Sequence, residues 1–462
     1  MQDFVSKVKN NEIDIVEHTH KVIEECKKIN RDYNYFNVIS DTLALEQAKN
    51  IKKNLKNLKN KKLLGVFVSV KDNICVKGVE STAGSKILKG YKPLFNATAV
   101  QNAIDQGAII IGKTAQDEFG FGTFSVNVGV DFKVPKNPFD KNRSTGGSSG
   151  GAAGITQKLS NHIALGESTG GSTAAPASFC GVFGLTPTYG LVSRYGLIDY
   201  ANSLDKISTL GKTMEDASLL LDSISGYDEK DSTSLDVKNN PNKPVKRIGI
   251  IKEAFGKGVD KEIEKNVYNG ISKLKENGIK TEEVSLKLPM KYGIEAYYLI
   301  AVAETSTNLS KLCGMRYGMH EKLEGNFNEY FTKVRSSNFG QEAKRRIILG
   351  TFARMVGYRD AFYMKAMKVR TLIIEEYKKL FKKYDALVSP TLPILPPKFS
   401  EIEKLSPLQN YMADIMTVSP NLAGLPHLSV PVGFSDKLPV GMLLTADHLQ
   451  ENKLVEIGKI YD

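Results

Sequence analysis

Short, largely apolar runs recur along the chain, and the segments between them carry helical periodicity. Leu63–Val70 and Ala108–Ile111 read as buried strands, and Ile163–Leu165, Arg247–Ile251, a stretch near Val284 and Ala386–Val388 as further strands. Between them, Thr98–Gln106 reads as a helix, and Ile263, Val267, Ile271 and Leu274 fall on one helical face. Such alternation builds a mostly parallel sheet with helices outside it, which makes the chain α/β. Residues 8–57 alternate apolar and charged positions at helical spacing and predict two or three helices. Residues 341–384 are helix-rich, and Pro390 to Pro397 interrupts regular structure. At about 150 residues per domain, 462 residues would suggest two or three domains. With no internal repeat and no long linker, one large domain is favoured, a helical layer over 1–60 leading into a core over 61–462.

The chain carries 63 Lys and Arg against 51 Asp and Glu, a net +12. Of the 63, 52 are Lys, spread along the sequence, and Arg is scarce at 11. Arg is the usual residue for bidentate phosphate and base contacts, so a Lys-rich solvated surface is favoured over general nucleic-acid binding. Cys26, Cys75, Cys180 and Cys313 are scattered without metal-ligand spacing, so neither a zinc knuckle nor a disulfide framework is signalled. Neither an apolar signal core near Met1 nor a run of membrane-spanning length is evident. A reducing, cytoplasmic setting without membrane attachment is expected.

Two literal motif matches fail on chemistry. Gly107 to Thr114 has P-loop spacing, but its variable positions, Ala108–Ile111, are the expected strand rather than a flexible phosphate loop. Gly146-Gly147-Ser148-Ser149-Gly150 matches the nucleophile elbow of α/β-hydrolases. That elbow follows a strand, whereas Val134–Thr145 reads as a loop. His320, His427 or His448 could supply the histidine of such a hydrolase.

The wider stretch is more informative. Residues 144–154 read Ser-Thr-Gly-Gly-Ser-Ser-Gly-Gly-Ala-Ala-Gly, and Gly166-Glu167-Ser168-Thr169-Gly170-Gly171-Ser172 follows shortly after. A flexible linker is the plain reading of the first stretch. Its position between apolar elements points instead to close backbone approach. Gly-Gly before Ser lets consecutive N–H groups converge on an anion or oxyanion. A serine nucleophile is one reading of the pair, and with no histidine nearby the base stays open.

This constellation resembles the amidase signature family. The matching residues are Val70-Lys71-Asp72-Asn73, Gly146–Gly151, Thr169–Ser172, and Pro176-Ala177-Ser178-Phe179-Cys180-Gly181. Three stretches, Gly184–Gly196, Lys344–Thr351 and Asn421–Pro426, are similar to one branch of it, the A subunits of aspartyl/glutamyl-tRNA amidotransferases. The resemblance spans roughly residues 8–445. It implies the amidase signature fold, a central mixed, mostly parallel sheet covered by helices.

The same resemblance implies Ser172 as nucleophile, Ser148 as relay through a cis Gly147–Ser148 bond, and Lys71 as base, its amine kept neutral by burial at a strand end. Backbone N–H groups of Thr169, Gly170, Gly171 and Ser172 would hold the oxyanion. The implied substrate is glutamine, with Arg346 at its α-carboxylate, Asp414 at its α-amino group and Tyr298 nearby. Subunits B and C are the implied partners, and tRNA is bound through the complex. ATP and Mg²⁺ belong to the partner, so this chain needs neither cofactor nor metal. A stand-alone amidase for small amides is the competing reading, and a non-catalytic scaffold the third. Two positions depart from the family pattern: many members have Asp where Ser168 stands and Arg where Ala174 stands.

Overall fold

The apolar runs become the strands of one eleven-stranded sheet in a computed structural model that describes residues 1–237 and 244–462. In chain order they are β1 (Phe36–Ile39), β2 (Phe67–Lys71), β3 (Ile109–Thr114), β4 (His162–Ser168), β5 (Phe183–Thr186) and β6 (Lys206–Gly211). β7 (Arg247–Ile251), β8 (Lys280–Val284), β9 (Ala386–Pro390), β10 (His427–Ser435) and β11 (Leu438–Ala446) follow. Their spatial order is β1-β3-β2-β4-β6-β5-β10-β11-β9-β7-β8.

The sheet is mixed, as expected, but not mostly parallel. Only β2–β3, β2–β4, β7–β8 and β7–β9 run parallel, and the other six junctions are antiparallel. The parallel pairs join the apolar runs, except at the edge, where β7 pairs with the charged and mostly exposed β8. The antiparallel middle comes from β5, β6, β10 and β11, whose Ser, Thr, Gly and Pro residues hide them from an apolar-run reading. β10 and β11 form a hairpin through Asp436 and Lys437, both at positive φ (48° and 65°), the conformation that two-residue hairpin turns require.

The N-terminal lead-in holds helices Gln2–Lys9, Ile15–Tyr33 and Asp41–Leu58. It is not purely helical, because β1 lies between the last two and pairs with β3. A four-residue strand is too short to register as periodicity. Phe4, Val22 and Ile51 of this lead-in share one apolar cluster with Val68 of β2 and Ile110 of β3. A second cluster gathers Tyr297 and Ile300 of helix Lys287–Asn308 with Phe119, Tyr200 and Leu425. That helix packs on helices Gln341–Arg354 and Lys365–Phe381. Among the described residues, no helix is long and apolar enough to cross a membrane.

Parallel pairing of β2 with β4 sets the place of the chemistry. Val70 is registered with Leu165, so Lys71 and Glu167 both emerge at the carboxyl ends of adjacent parallel strands. In α/β sheets that edge is where sites form.

Candidate active site

Lys71 ends β2 and is fully buried. Its Nζ lies 2.7 Å from Ser148 Oγ, 2.9 Å from the carbonyl of Glu167 and 2.9 Å from Glu167 Oε2. A buried lysine nitrogen needs hydrogen-bond partners, and here it has three oxygens within 2.9 Å. A fully buried carboxylate that the sequence motifs did not place faces it. Its sequence signal is a Glu close behind the apolar run Ile163–Leu165 of strand β4, outside the positions that carry the family resemblance.

Ser148 sits before helix Gly150–Lys158, and the Gly147–Ser148 peptide is cis. The loop is tied down by Gly147 N–H on the Thr123 carbonyl (2.6 Å) and by the Ser125 hydroxyl on the Gly146 carbonyl (2.8 Å). Beneath it the Asp117 carboxylate accepts the N–H groups of Ser125 (3.1 Å) and Asn127 (2.8 Å). Burial pushes Asp117 up to about 6, against those bonds and the nearby Lys71.

Ser172 lies in the turn after β4, joined to this loop by the Ser149 N–H on the Ser172 carbonyl (3.1 Å). It is 6% exposed, whereas Lys71, Ser148 and Glu167 are at 0%. Among the described residues, Ser172 Oγ makes no hydrogen bond, and the N–H groups of Gly170, Gly171 and Ser172 find no protein acceptor. The turn is fixed from behind by Asn421, whose amide donates to the carbonyls of Thr169 and Leu204.

Arg346 is 2% exposed, which rules out a helix-surface residue. Its guanidinium lies among the rings of Phe121, Tyr200, Tyr298 and Tyr411, 5.0–5.6 Å from their centres. Nε donates to Glu342 Oε1 (2.8 Å) one helical turn away, and Nη1 donates to the Tyr200 hydroxyl. Nη2 carries no bond among the described residues. Tyr298 stacks on Tyr411 at 4.1 Å. Asp414 accepts the Thr123 hydroxyl at 2.6 Å, and burial pushes it up to about 7.

Gly120 joins the two halves. A Cβ there would meet Ser148 Oγ at 3.4 Å, Glu167 Oε2 at 3.5 Å and the Tyr200 ring at 3.6 Å. The aromatic cage of Arg346 therefore abuts the Lys71–Ser148 pair. Tyr200, Tyr411, Glu342, Thr123 and Asp117 were missed in the sequence. Only Glu342 left a trace there, an acid four residues before Arg346.

The failed motifs stay failed. Ile109–Thr114 is the buried strand β3, and Lys113 is held inside by Ser81 Oγ (2.7 Å) and Asp72. Among the described residues, His320, His427 and His448 bond the carbonyls of Gly314, Leu425 and Ala423, and none bonds Ser148 or Ser172.

A buried lysine bonded to a serine in a glycine-rich loop, next to a second serine turn, is the layout of the amidases. The family model Amidase matches residues 17–455, and the chain belongs to the amidase signature family. It is 42% identical to the A subunit of glutamyl-tRNA(Gln) amidotransferase from Trichodesmium erythraeum, over 100% of this chain and 96% of that protein. Its counterpart from Thermoanaerobacter pseudethanolicus is 41% identical over 98% of this chain and 94% of its own length. The crystal structure of the A subunit of glutamyl-tRNA(Gln) amidotransferase from Thermotoga maritima superposes with a TM-score of 0.77. It is 33% identical, covering 96% of this chain and 91% of that one.

Proposed function

We propose that the chain is the glutaminase subunit of a tRNA-dependent amidotransferase. The observation that carries this is the Lys71–Ser148 hydrogen bond, with the Arg346 cage abutting it across Gly120 and Asp414 standing against the Ser172 turn. Full-length similarity to A subunits supports it. Glutamine enters with its α-carboxylate toward Arg346, beside Tyr298, and its α-amino group toward Asp414, so opposite charges meet the zwitterion. Ser172 attacks the side-chain amide carbon. Its proton passes to Ser148, and that of Ser148 to Lys71. The N–H groups of Thr169, Gly170, Gly171 and Ser172 hold the oxyanion. Ammonia leaves, and water hydrolyses the glutamyl ester.

In this reading the chain works in the cytoplasm with subunits B and C. Ammonia is used on Glu-tRNA(Gln) or Asp-tRNA(Asn) bound by the complex. ATP and Mg²⁺ act in the partner, with no cofactor or metal in this chain. The test is glutamine-dependent conversion of either misacylated tRNA by the chain assembled with candidate B and C subunits. Conversion lost in Ser172→Ala and Lys71→Ala supports the assignment. Full glutaminase activity in Ser172→Ala overturns the nucleophile. Strong turnover of simple amides by the chain alone, indifferent to partners, replaces the reading with a stand-alone amidase.

A further inference from the structure

Glu167 has no role in the steps above, yet it makes the densest set of contacts around Lys71. Its Oε2 accepts Lys71 Nζ at 2.9 Å and Asn73 Nδ2 at 3.1 Å. Its Oε1 lies 2.8 Å from the Thr169 hydroxyl, and that hydroxyl lies 2.9 Å from Asp205 Oδ1. All of these side chains are buried. A threonine hydroxyl has one proton, so it cannot donate to two carboxylates at once. One of the two acids therefore holds a proton and donates to the Thr169 oxygen. Asp205 is that acid by geometry: Glu167 Oε2 faces Lys71 Nζ at 2.9 Å, whereas Asp205 has no ion-pair partner among the described residues, and burial pushes Asp205 upward in the same sense. Thr169 then donates to Glu167, which is left as the anion facing Lys71.

An ammonium that donates to Ser148 Oγ cannot in the same state take the proton of Ser148. It must first lose one of its own. The carboxylate bonded to its Nζ is Glu167 Oε2. We propose that Glu167 is a positioning residue that receives the Lys71 proton and thereby makes the amine a base.

The step balances. An N–H bond of Lys71 breaks, an O–H bond forms on Glu167 Oε2, and the electron pair stays on Nζ. That pair takes the Ser148 proton, and Ser148 takes the Ser172 proton as Ser172 Oγ bonds the amide carbon. On collapse the C–N bond breaks, and the proton returns along the same path to complete ammonia. A buried ion pair converts to a neutral hydrogen-bonded pair, which a dry interior favours over separated charges. This inference rests on the Ser172–Ser148–Lys71 reading, and its test separates the two.

Glu167→Gln keeps the size and an acceptor for Lys71 but cannot take up a proton. Glutamine hydrolysis by the assembled complex is expected to fall roughly a hundredfold in kcat, the scale of a lost general base, with KM held within about threefold. The residual rate is expected to climb with pH, about tenfold per unit, because the amine must now give its proton to hydroxide. The charged groups facing this position, Lys71 on β2, Asp205 before β6, and Asp117 and Asp199 within their fields, are all retained in the variant. Glu167→Asp, which can take the proton, is expected to recover part of kcat with the parental pH profile.

A Glu167→Gln enzyme with kcat within threefold of the parent overturns the proposal. So does a slowed variant whose pH profile keeps the parental shape. Should the Gln variant not fold, a folded Glu167→Asp with no turnover also overturns it. Ser172→Ala is run alongside. If it stays active, the nucleophile reading fails; if it is inactive and the Gln profile is parental, only the role of Glu167 fails.

Discussion

Gly171 stands against Asp414: a Cβ on Gly171 would lie 2.8 Å from Asp414 Oδ1 and would overlap the Thr417 hydroxyl. The residue before the proposed nucleophile thus shares a wall with the carboxylate proposed to hold the substrate amine. Gly171→Ala must push the turn and Asp414 apart. A shift near 1 Å at reacting groups costs on the order of a hundredfold in rate, and a loss of that size is expected in kcat/KM for glutamine. Steady-state kinetics beside a thermal melt measures it. Parental kcat/KM in a folded variant would show that the contact is slack.

Asp414 itself should impose a pH dependence on binding. Burial is the main cause that lifts it to about 7, while the Thr123 hydroxyl and the Arg346 charge pull it down. Only the ionised form attracts an ammonium group. KM for glutamine is expected to rise as pH falls below about 7, and Asp414→Asn should flatten that limb. The stability sign follows from the same shift. A carboxyl whose folded value lies above its ordinary 3.8 binds its proton more tightly when folded. Its contribution is full in acid, below the ordinary value, and is lost as pH rises through about 7. Thermal melts should therefore favour Asp414→Asn over the parent progressively from pH 4 to 7, with a constant gap above.

Arg346→Lys separates charge from shape. The planar guanidinium bonds Glu342 and Tyr200 while lying among four rings, a combination an ammonium cannot reproduce. KM for glutamine is expected to rise by about tenfold or more, the scale of one lost bidentate contact, with kcat little changed. An unchanged KM would move the α-carboxylate elsewhere.

The outer parallel parts of the sheet were legible because β2, β3, β7 and β9 are apolar runs buried on both faces. The centre was not, because β5, β6 and β10 carry Ser, Thr, Gly and Pro that only tertiary pairing makes strand-like. In the site, the Gly/Ser clusters announced close backbone approach, but spacing could not choose Lys71 among 52 lysines; the family resemblance did. Glu167 escaped because it stands one residue before the position where many members carry Asp. Neighbouring strand positions face opposite sides, and here the Glu167 side chain reaches Lys71 while Ser168 Oγ bonds the Gly170 carbonyl (2.9 Å). Tyr200, Thr123 and Tyr411 come from elements far apart in sequence, and only the packed fold brings them to Arg346 and Asp414.

The glycines of residues 144–154 include one set by close packing rather than by chemistry. Gly154 lies inside helix Gly150–Lys158, where Ala would raise helix propensity by about 1 kcal/mol. A Cβ there would overlap the Tyr35 ring, 2.5 Å from its Cζ. Tyr35 is fully buried and stacked on Tyr33 at 5.3 Å, so the ring has little room to yield. Overpacking of this kind costs roughly 1–3 kcal/mol, which outweighs the propensity gain. Gly154→Ala is therefore expected to lower the unfolding midpoint in denaturant. Tyr35→Leu should make room for the methyl group, so the double variant should be less destabilised than the two single losses added together. A Gly154→Ala protein at or above parental stability would mean that helix propensity, not close approach, governs this position.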